Sequence, residues 1–144
     1  MNILLVEDNP GDVRLTQEAL KEGNFSQELS LHVVPDGVEA IAYLNKEGNY
    51  ADAVQPDIIL LDLNLPKKHG SEVLAEIKAS SILRSIPVVV LTTSQASQDI
   101  ELVYNLHANC YIAKPVDINE FIEVIKSIEN FWFNIVKLPS FNKV

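Results

Sequence analysis

Short runs of branched apolar residues alternate along this chain with longer stretches whose apolar positions recur at helical spacing. Residues 3–6, 31–34, 58–61, 88–91 and 110–112 read as strands. Two of them, Ile58-Ile59-Leu60-Leu61 and Val88-Val89-Val90-Leu91, are apolar at every position, the pattern of a parallel strand covered on both faces. Residues 11–22, 37–46, 70–79, 98–107 and 117–131 carry helical spacing; Val13, Thr16, Gln17 and Leu20 share a face of the first, and Ile118, Phe121, Ile122 and Ile125 a face of the last. Asp117 followed by Glu120 has capping-box spacing. Pro56 and Pro87 sit just before strands three and four, where a helix must already have ended. Strict alternation of strand and helix predicts an α/β fold with a doubly wound parallel sheet and helices on both faces.

Sheets of this kind bind ligands at the carboxyl ends of their strands, where the strand order reverses. Strand one ends in Glu7-Asp8, strand three in Asp62 and strand four in Thr92-Thr93-Ser94, and strand five runs into Lys114-Pro115. Carboxylates gathered at one sheet edge repel one another in a partly desolvated site, so the cluster calls for a cation. Hard carboxylate oxygens without thiolate or imidazole favour Mg²⁺, with Mn²⁺ able to substitute. Such an ion keeps waters that phosphate oxygens can replace, which points to phosphoryl chemistry. An Asp carboxylate can act as nucleophile, while the metal, the Lys114 ammonium and the Thr92 hydroxyl meet the phosphoryl oxygens.

Composition narrows the setting. The chain has 144 residues, 47% of them apolar, enough for one domain with one core. A formal charge of -9 and a pI near 4.7 leave no basic field for a polyanion, so no nucleic-acid partner is expected. Cys110 is the single cysteine, and the first apolar run stops at Glu7-Asp8, too short for a signal peptide or membrane span. A cytoplasmic protein with no membrane contact is expected.

The strings Val6-Glu7-Asp8-Asn9, Asp36-Gly37-Val38-Glu39-Ala40, Leu60-Leu61-Asp62-Leu63-Asn64-Leu65-Pro66 with Gly70, Leu91-Thr92-Thr93-Ser94 and Lys114-Pro115 resemble the motifs of response-regulator receiver domains, in receiver order and spacing over about residues 3–128. The resemblance implies a flavodoxin-like (βα)5 receiver with a five-stranded parallel sheet in the order 2-1-3-4-5. It implies Asp62 as phosphoacceptor, and Mg²⁺ held by Glu7, Asp8, Asp62 and the backbone carbonyl of Asn64. Thr92 and Lys114 would bind the phosphoryl group. Thr92 and Tyr111 would form the switch, with helix four, strand five and helix five as readout face, and the Lys114–Pro115 bond would be a candidate cis peptide. Leu65 stands where many receivers carry Met, and His69 where Asp or an amide is common; neither removes a chemical role. The strings 6–14 and 65–70, with the terminal Phe-Trp segment, look most like the single-domain response regulators of cyanobacterial phytochromes. The implied kinase partner is therefore a sensor histidine kinase of phytochrome type, and the output passes to a downstream protein the sequence does not identify. The chain is then a two-component switch, not a turnover enzyme.

Other readings stand beside this one. A phosphatase of the haloacid-dehalogenase type also uses a strand-end Asp and Mg²⁺, but Asn64 cannot supply the general acid such enzymes place two positions after the nucleophile. No Gly-rich turn follows strand one to cradle a dinucleotide. A receiver-like module that docks without phosphorylation remains an alternative. Tyr111 can be packing rather than switch. His32, His69 and His107 read as surface or packing residues, Lys67-Lys68 as a solvated loop, and Cys110 as a small buried apolar residue. Residues 1–130 form the receiver domain. Residues 131–144 extend the last helix with more apolar surface than one helix face needs, so Phe131, Trp132 and Phe133 are expected at a homodimer interface; the alternative is that this segment folds back on its own domain.

Overall fold

The computed structural model describes residues 1–22 and 29–139, and side chains for all of these but Glu22. Five strands, β1 (Asn2–Val6), β2 (Ser30–Val34), β3 (Ile58–Leu61), β4 (Val88–Thr92) and β5 (Cys110–Ala113), alternate with α1 (Pro10–Glu22), α2 (Gly37–Leu44), α3 (Gly70–Ala79), α4 (Ser97–Asn105) and α5 (Ile118–Glu129). All pairings are parallel and the order is β2-β1-β3-β4-β5, as expected. The connection reverses direction between β1 and β3, which opens a crevice at their carboxyl ends.

The period-2 alternation of strand side chains divides the core in two. Leu4, Val6, Ile59, Leu61, Val88 and Val90 face α2, α3 and α4 through Ala40, Leu74, Ile77 and Val103. Ile3, Leu5, Ile58, Leu60, Val89 and Leu91 face α1 and α5 through Ala19, Phe121, Ile125 and Ile128. Every residue of β3 and β4 is buried, which explains their uninterrupted apolar runs. The edge strands β2 and β5 are only partly covered and accordingly carry Ser30, His32 and Cys110.

Helix ends follow local chemistry. The Asp36 carboxylate accepts from the Glu39 N–H at α2, and the Asp117 carboxylate from the Glu120 N–H at α5. His69 is more than a loop residue, since its Nδ1 accepts from the Ser71 N–H and caps α3. α2 stops at Leu44, two residues before the expected end: Lys46 takes φ 56°, and the Lys46 and Glu47 N–H groups bond back to Tyr43 and Ala42 carbonyls, a left-handed stop that the apolar spacing does not reveal. A short 3-10 turn, Gly48–Tyr50, follows.

Beyond α5 the chain widens into a π-helical segment, Asn130–Ile135. Phe133 turns inward and is buried in its own chain's core, a correction to its expected place at an interface; Phe131 remains 51% exposed. Trp132 is half-buried and lines a groove with Cys110, which is itself half-buried rather than fully so. Glu129, beneath this segment, is 2% exposed with no hydrogen-bond partner for Oε1, and burial pushes its carboxyl up to about 7 against the opposing charge of Lys126. Residues 140–144 of the expected extension lie outside the described residues. Among the described residues no helix is long and apolar enough to cross a membrane.

Candidate functional site

The β1/β3 crevice gathers the polar strand ends. The Asp62 N–H donates to the Val6 carbonyl and the Glu7 N–H to the Val34 carbonyl, both at 3.1 Å, so strand pairing sets the height of both carboxylates. Glu7, Asp8 and Asp62 each offer an oxygen within 4.8 Å of the others; Glu7 and Asp62 are buried and Asp8 is exposed. The Lys114 N–H donates to the Thr92 carbonyl at 2.7 Å, which extends the β4–β5 pairing and directs the lysine across the crevice. Its Nζ donates to Glu7 Oε2, to Asp62 Oδ2 at 3.1 Å and to Asp12 Oδ2 at 3.0 Å.

Three carboxylates thus surround one ammonium. Burial pushes the Glu7 carboxyl up to about 7, with the Asp62 charge adding to the effect and the Lys114 contacts opposing it. Burial also acts to raise Asp62, but the Lys114 charge, the Thr92 hydroxyl and the Asn64 N–H outweigh it and hold Asp62 below the usual carboxylate range. Lys114 is held fully protonated: burial opposes its charge, and Glu7, Asp12 and Asp62 more than compensate. Asp62 is therefore the ionised, partly satisfied carboxylate a nucleophile requires, while Glu7 remains short of positive charge. Three converging hard oxygens and this charge deficit fit a small divalent cation of the magnesium type.

Thr92 is fully buried, with Oγ1 3.5 Å from Asn64 Nδ2. Asn64 donates its backbone N–H to Asp62 Oδ1 at 3.2 Å, which places it in the loop that leaves β3. Two glycines let that loop close. A Cβ at Gly70 would stand 2.3 Å from the Asp62 carbonyl oxygen, and one at Gly37 would stand 2.3 Å from the Lys68 carbonyl oxygen. Lys67, at φ 67°, pairs with buried Asp36 at 3.5 Å, and Lys68 pairs with Glu76 at 2.5 Å, so this loop is tied to α2 and α3 rather than simply solvated.

Tyr111 lies outside the carboxylate cluster but is connected to it. Its hydroxyl donates to the Ser94 carbonyl at 2.8 Å, and its N–H donates to the Tyr104 hydroxyl at 3.2 Å. The Ser94 hydroxyl in turn reaches Asp99 at 2.5 Å, so Tyr111 grips the loop that follows Thr92. No peptide bond among the described residues is cis, which corrects the expectation for Lys114–Pro115. An X–Pro bond separates its isomers by only about 0.5–1 kcal/mol; here the trans form already delivers Lys114 to its three carboxylates, and no described contact selects the other. Phe131 and Trp132 sit at the opposite end of α5 from the crevice. The sequence does not single out Asp12 as a site residue. Its only signal is its place in the first turn of the helix that begins where β1 ends.

Comparison with known proteins agrees with this geometry. The profile of the response regulator receiver domain family matches residues 3–126. The chain is 48% identical over 138 residues to response regulator Rcp1 of Synechocystis sp., covering 96% of this chain and 92% of that protein. Its fold is similar to the crystal structure of the phosphorylated cyanobacterial phytochrome response regulator RcpA, with a TM-score of 0.93 at 53% identity over 96% of this chain and 98% of that one. It is equally similar to the Mn²⁺-bound form of Rcp1, with a TM-score of 0.93 at 47% identity over 96% and 99% of the two chains.

Proposed function

This chain belongs to the response regulator receiver domain family, and from that premise we propose that it accepts a phosphoryl group on Asp62 from the phosphohistidine of a sensor kinase in the cytoplasm. The observation that carries the proposal is the ionised Asp62 carboxylate at the β3 terminus, bonded through Oδ2 to Lys114 at 3.1 Å and through Oδ1 to the Asn64 N–H. A carboxylate oxygen of Asp62 attacks phosphorus; the P–O bond forms as the P–N bond breaks, and the electron pair leaves with the kinase imidazole. Glu7, Asp8, Asp62 and the Asn64 carbonyl would hold a magnesium or manganese ion, which would neutralise charge at the phosphoryl oxygens. Lys114 moves its ammonium from the carboxylates to the transferred group. Thr92 turns its hydroxyl from Asp62 to a phosphoryl oxygen, and Tyr111, tied to the same loop through Ser94, reports that movement on the α4–β5–α5 face. The likeness to phytochrome response regulators supports a phytochrome-type kinase as donor.

Intact mass after incubation with acetyl phosphate tests the chemistry. Wild type with Mg²⁺ gains one phosphoryl adduct, which chelator and Asp62→Asn each abolish. An adduct that survives in Asp62→Asn would move the acceptor elsewhere. No adduct from acetyl phosphate or from a phosphorylated kinase would favour a receiver that docks without phosphorylation.

The segment after α5 is the assembly element in this reading. Exposed Phe131 and half-buried Trp132 border a groove of about 430 Å³ with Cys110, Ile112, Val124 and Ile128, apolar surface that suits a second copy of the chain. Equilibrium sedimentation is expected to show a wild-type dimer weakened at least tenfold by Phe131→Asp, the scale of one well-packed interface aromatic. Monomers in both samples would remove the assembly role.

A further inference from the structure

We propose that Asp12 is the resting counter-ion of Lys114, the anion that an incoming phosphoryl group displaces, and hence a positioning residue for the reaction assigned above to Asp62. The inference rests on that assignment. α1 starts directly after the acidic end of β1, and its first turn is fixed locally: the Asp12 N–H donates to Asn9 Oδ1 at 3.1 Å, and Thr16 Oγ1 donates to the Asp12 carbonyl at 2.8 Å. This geometry delivers Asp12 Oδ2 to within 3.0 Å of Lys114 Nζ, with the Asp12 side chain 24% exposed at the mouth of the crevice. The amino end of α1 favours a negative charge at that point.

An ammonium has three N–H donors, and in this structure all three are used, by Glu7, Asp12 and Asp62. A phosphoryl oxygen can bind Lys114 only if one of these carboxylates gives way. Glu7 and Asp62 belong to the group of oxygens that converges within 4.8 Å, the arrangement a divalent cation would engage; Asp12 does not. Once a cation draws on Glu7 and Asp62, Asp12 is the anion left to hold the lysine. Asp12 and the phosphoryl group then compete for one cation.

The test is the rate of phosphorylation by subsaturating acetyl phosphate at saturating Mg²⁺, read by intact mass. Asp12→Asn is expected to raise the rate about fivefold, the scale of one partly exposed ion pair, and Asp12→Glu to return most of the rise. In a Lys114→Ala background Asp12→Asn is expected to add nothing, because the effect passes through the lysine. Thermal unfolding of each variant checks that it is folded at the assay temperature. An unchanged or slower rate in Asp12→Asn overturns the proposal. So does an equal acceleration in both backgrounds, which would mean that Asp12 only repels an anionic donor. If wild type takes up no phosphoryl group, the assignment to Asp62 fails and this inference with it; if wild type reacts and the variants do not differ, this inference alone fails.

Discussion

Lys114→Ala is expected to lower unfolding stability by about 3–5 kcal/mol at pH 8 in chelator, the usual cost of removing one partner from a buried ion pair. The side chain is 4% exposed and is the ammonium toward which Glu7, Asp12 and Asp62 all turn. Without it, the nearly buried Glu7 and Asp62 face each other uncompensated. Glu7, already pushed up to about 7, would rise further and take up a proton in the variant. A raised carboxyl stabilises the folded chain below its ordinary pKa, and that contribution fades as pH climbs through the folded-state value. The deficit of the variant should therefore be largest above neutral pH and shrink toward pH 5. Divalent cation should act in the same direction, since an ion among Glu7, Asp8 and Asp62 supplies the missing charge and binds only the folded state. Urea unfolding of wild type and variant, with Mg²⁺ or chelator, measures both effects. If Mg²⁺ returned no more stability to Lys114→Ala than to wild type, lysine and cation would not be sharing these carboxylates.

Gly70→Ala is the second large effect, and its cause is steric. The added Cβ would lie 2.3 Å from the Asp62 carbonyl oxygen and 2.6 Å from the Leu63 Cα, and neither backbone atom can rotate aside. The Gly70 N–H also bonds to the Leu63 carbonyl at 2.9 Å, so the same movement that relieves the clash weakens this closure. Overpacking of this kind costs about 1–3 kcal/mol and more where backbone must move. A loss of about 3 kcal/mol is expected, with a fall in melting temperature of roughly 10 °C for a domain of this size. Because the displaced atoms belong to the proposed acceptor Asp62 and its neighbour, the fraction that remains folded should also take up phosphoryl groups more slowly. A melting temperature within about 2 °C of wild type would mean that α3 does not approach β3 as closely as described.

Both variants touch the part of the molecule that was most legible in the sequence. The short branched apolar runs of β3 and β4, each preceded by a proline, have the pattern that strands buried on both faces require, and once five strands alternate with five helices, Glu7, Asp8, Asp62, Thr92 and Lys114 share one sheet edge. Less legible were features that depend on where a chain turns. Asp12 reaches Lys114 because Asn9 and Pro10 start α1 at the crevice wall, and an Asp in a first helical turn elsewhere would be ordinary. The early stop of α2 requires a left-handed Lys46, a residue type with no preference for that conformation. The inward turn of Phe133 depends on the change from α- to π-helical geometry after Glu129, which residue spacing does not encode.

α5 has a consequence that concerns how such proteins diversify. The helix begins four residues after Lys114, and its twelve residues, about 18 Å at 1.5 Å per residue, carry the chain away from the crevice to the segment in which Trp132 lines a groove with Cys110 at the start of β5. On the functional reading proposed above, chemistry and address would be written at opposite ends of one rod. Mutational drift in the terminal segment can change which surfaces the protein meets while every atom near Asp62 stays in place, and a terminal segment grafted from another receiver could carry a new companion without carrying a new reaction.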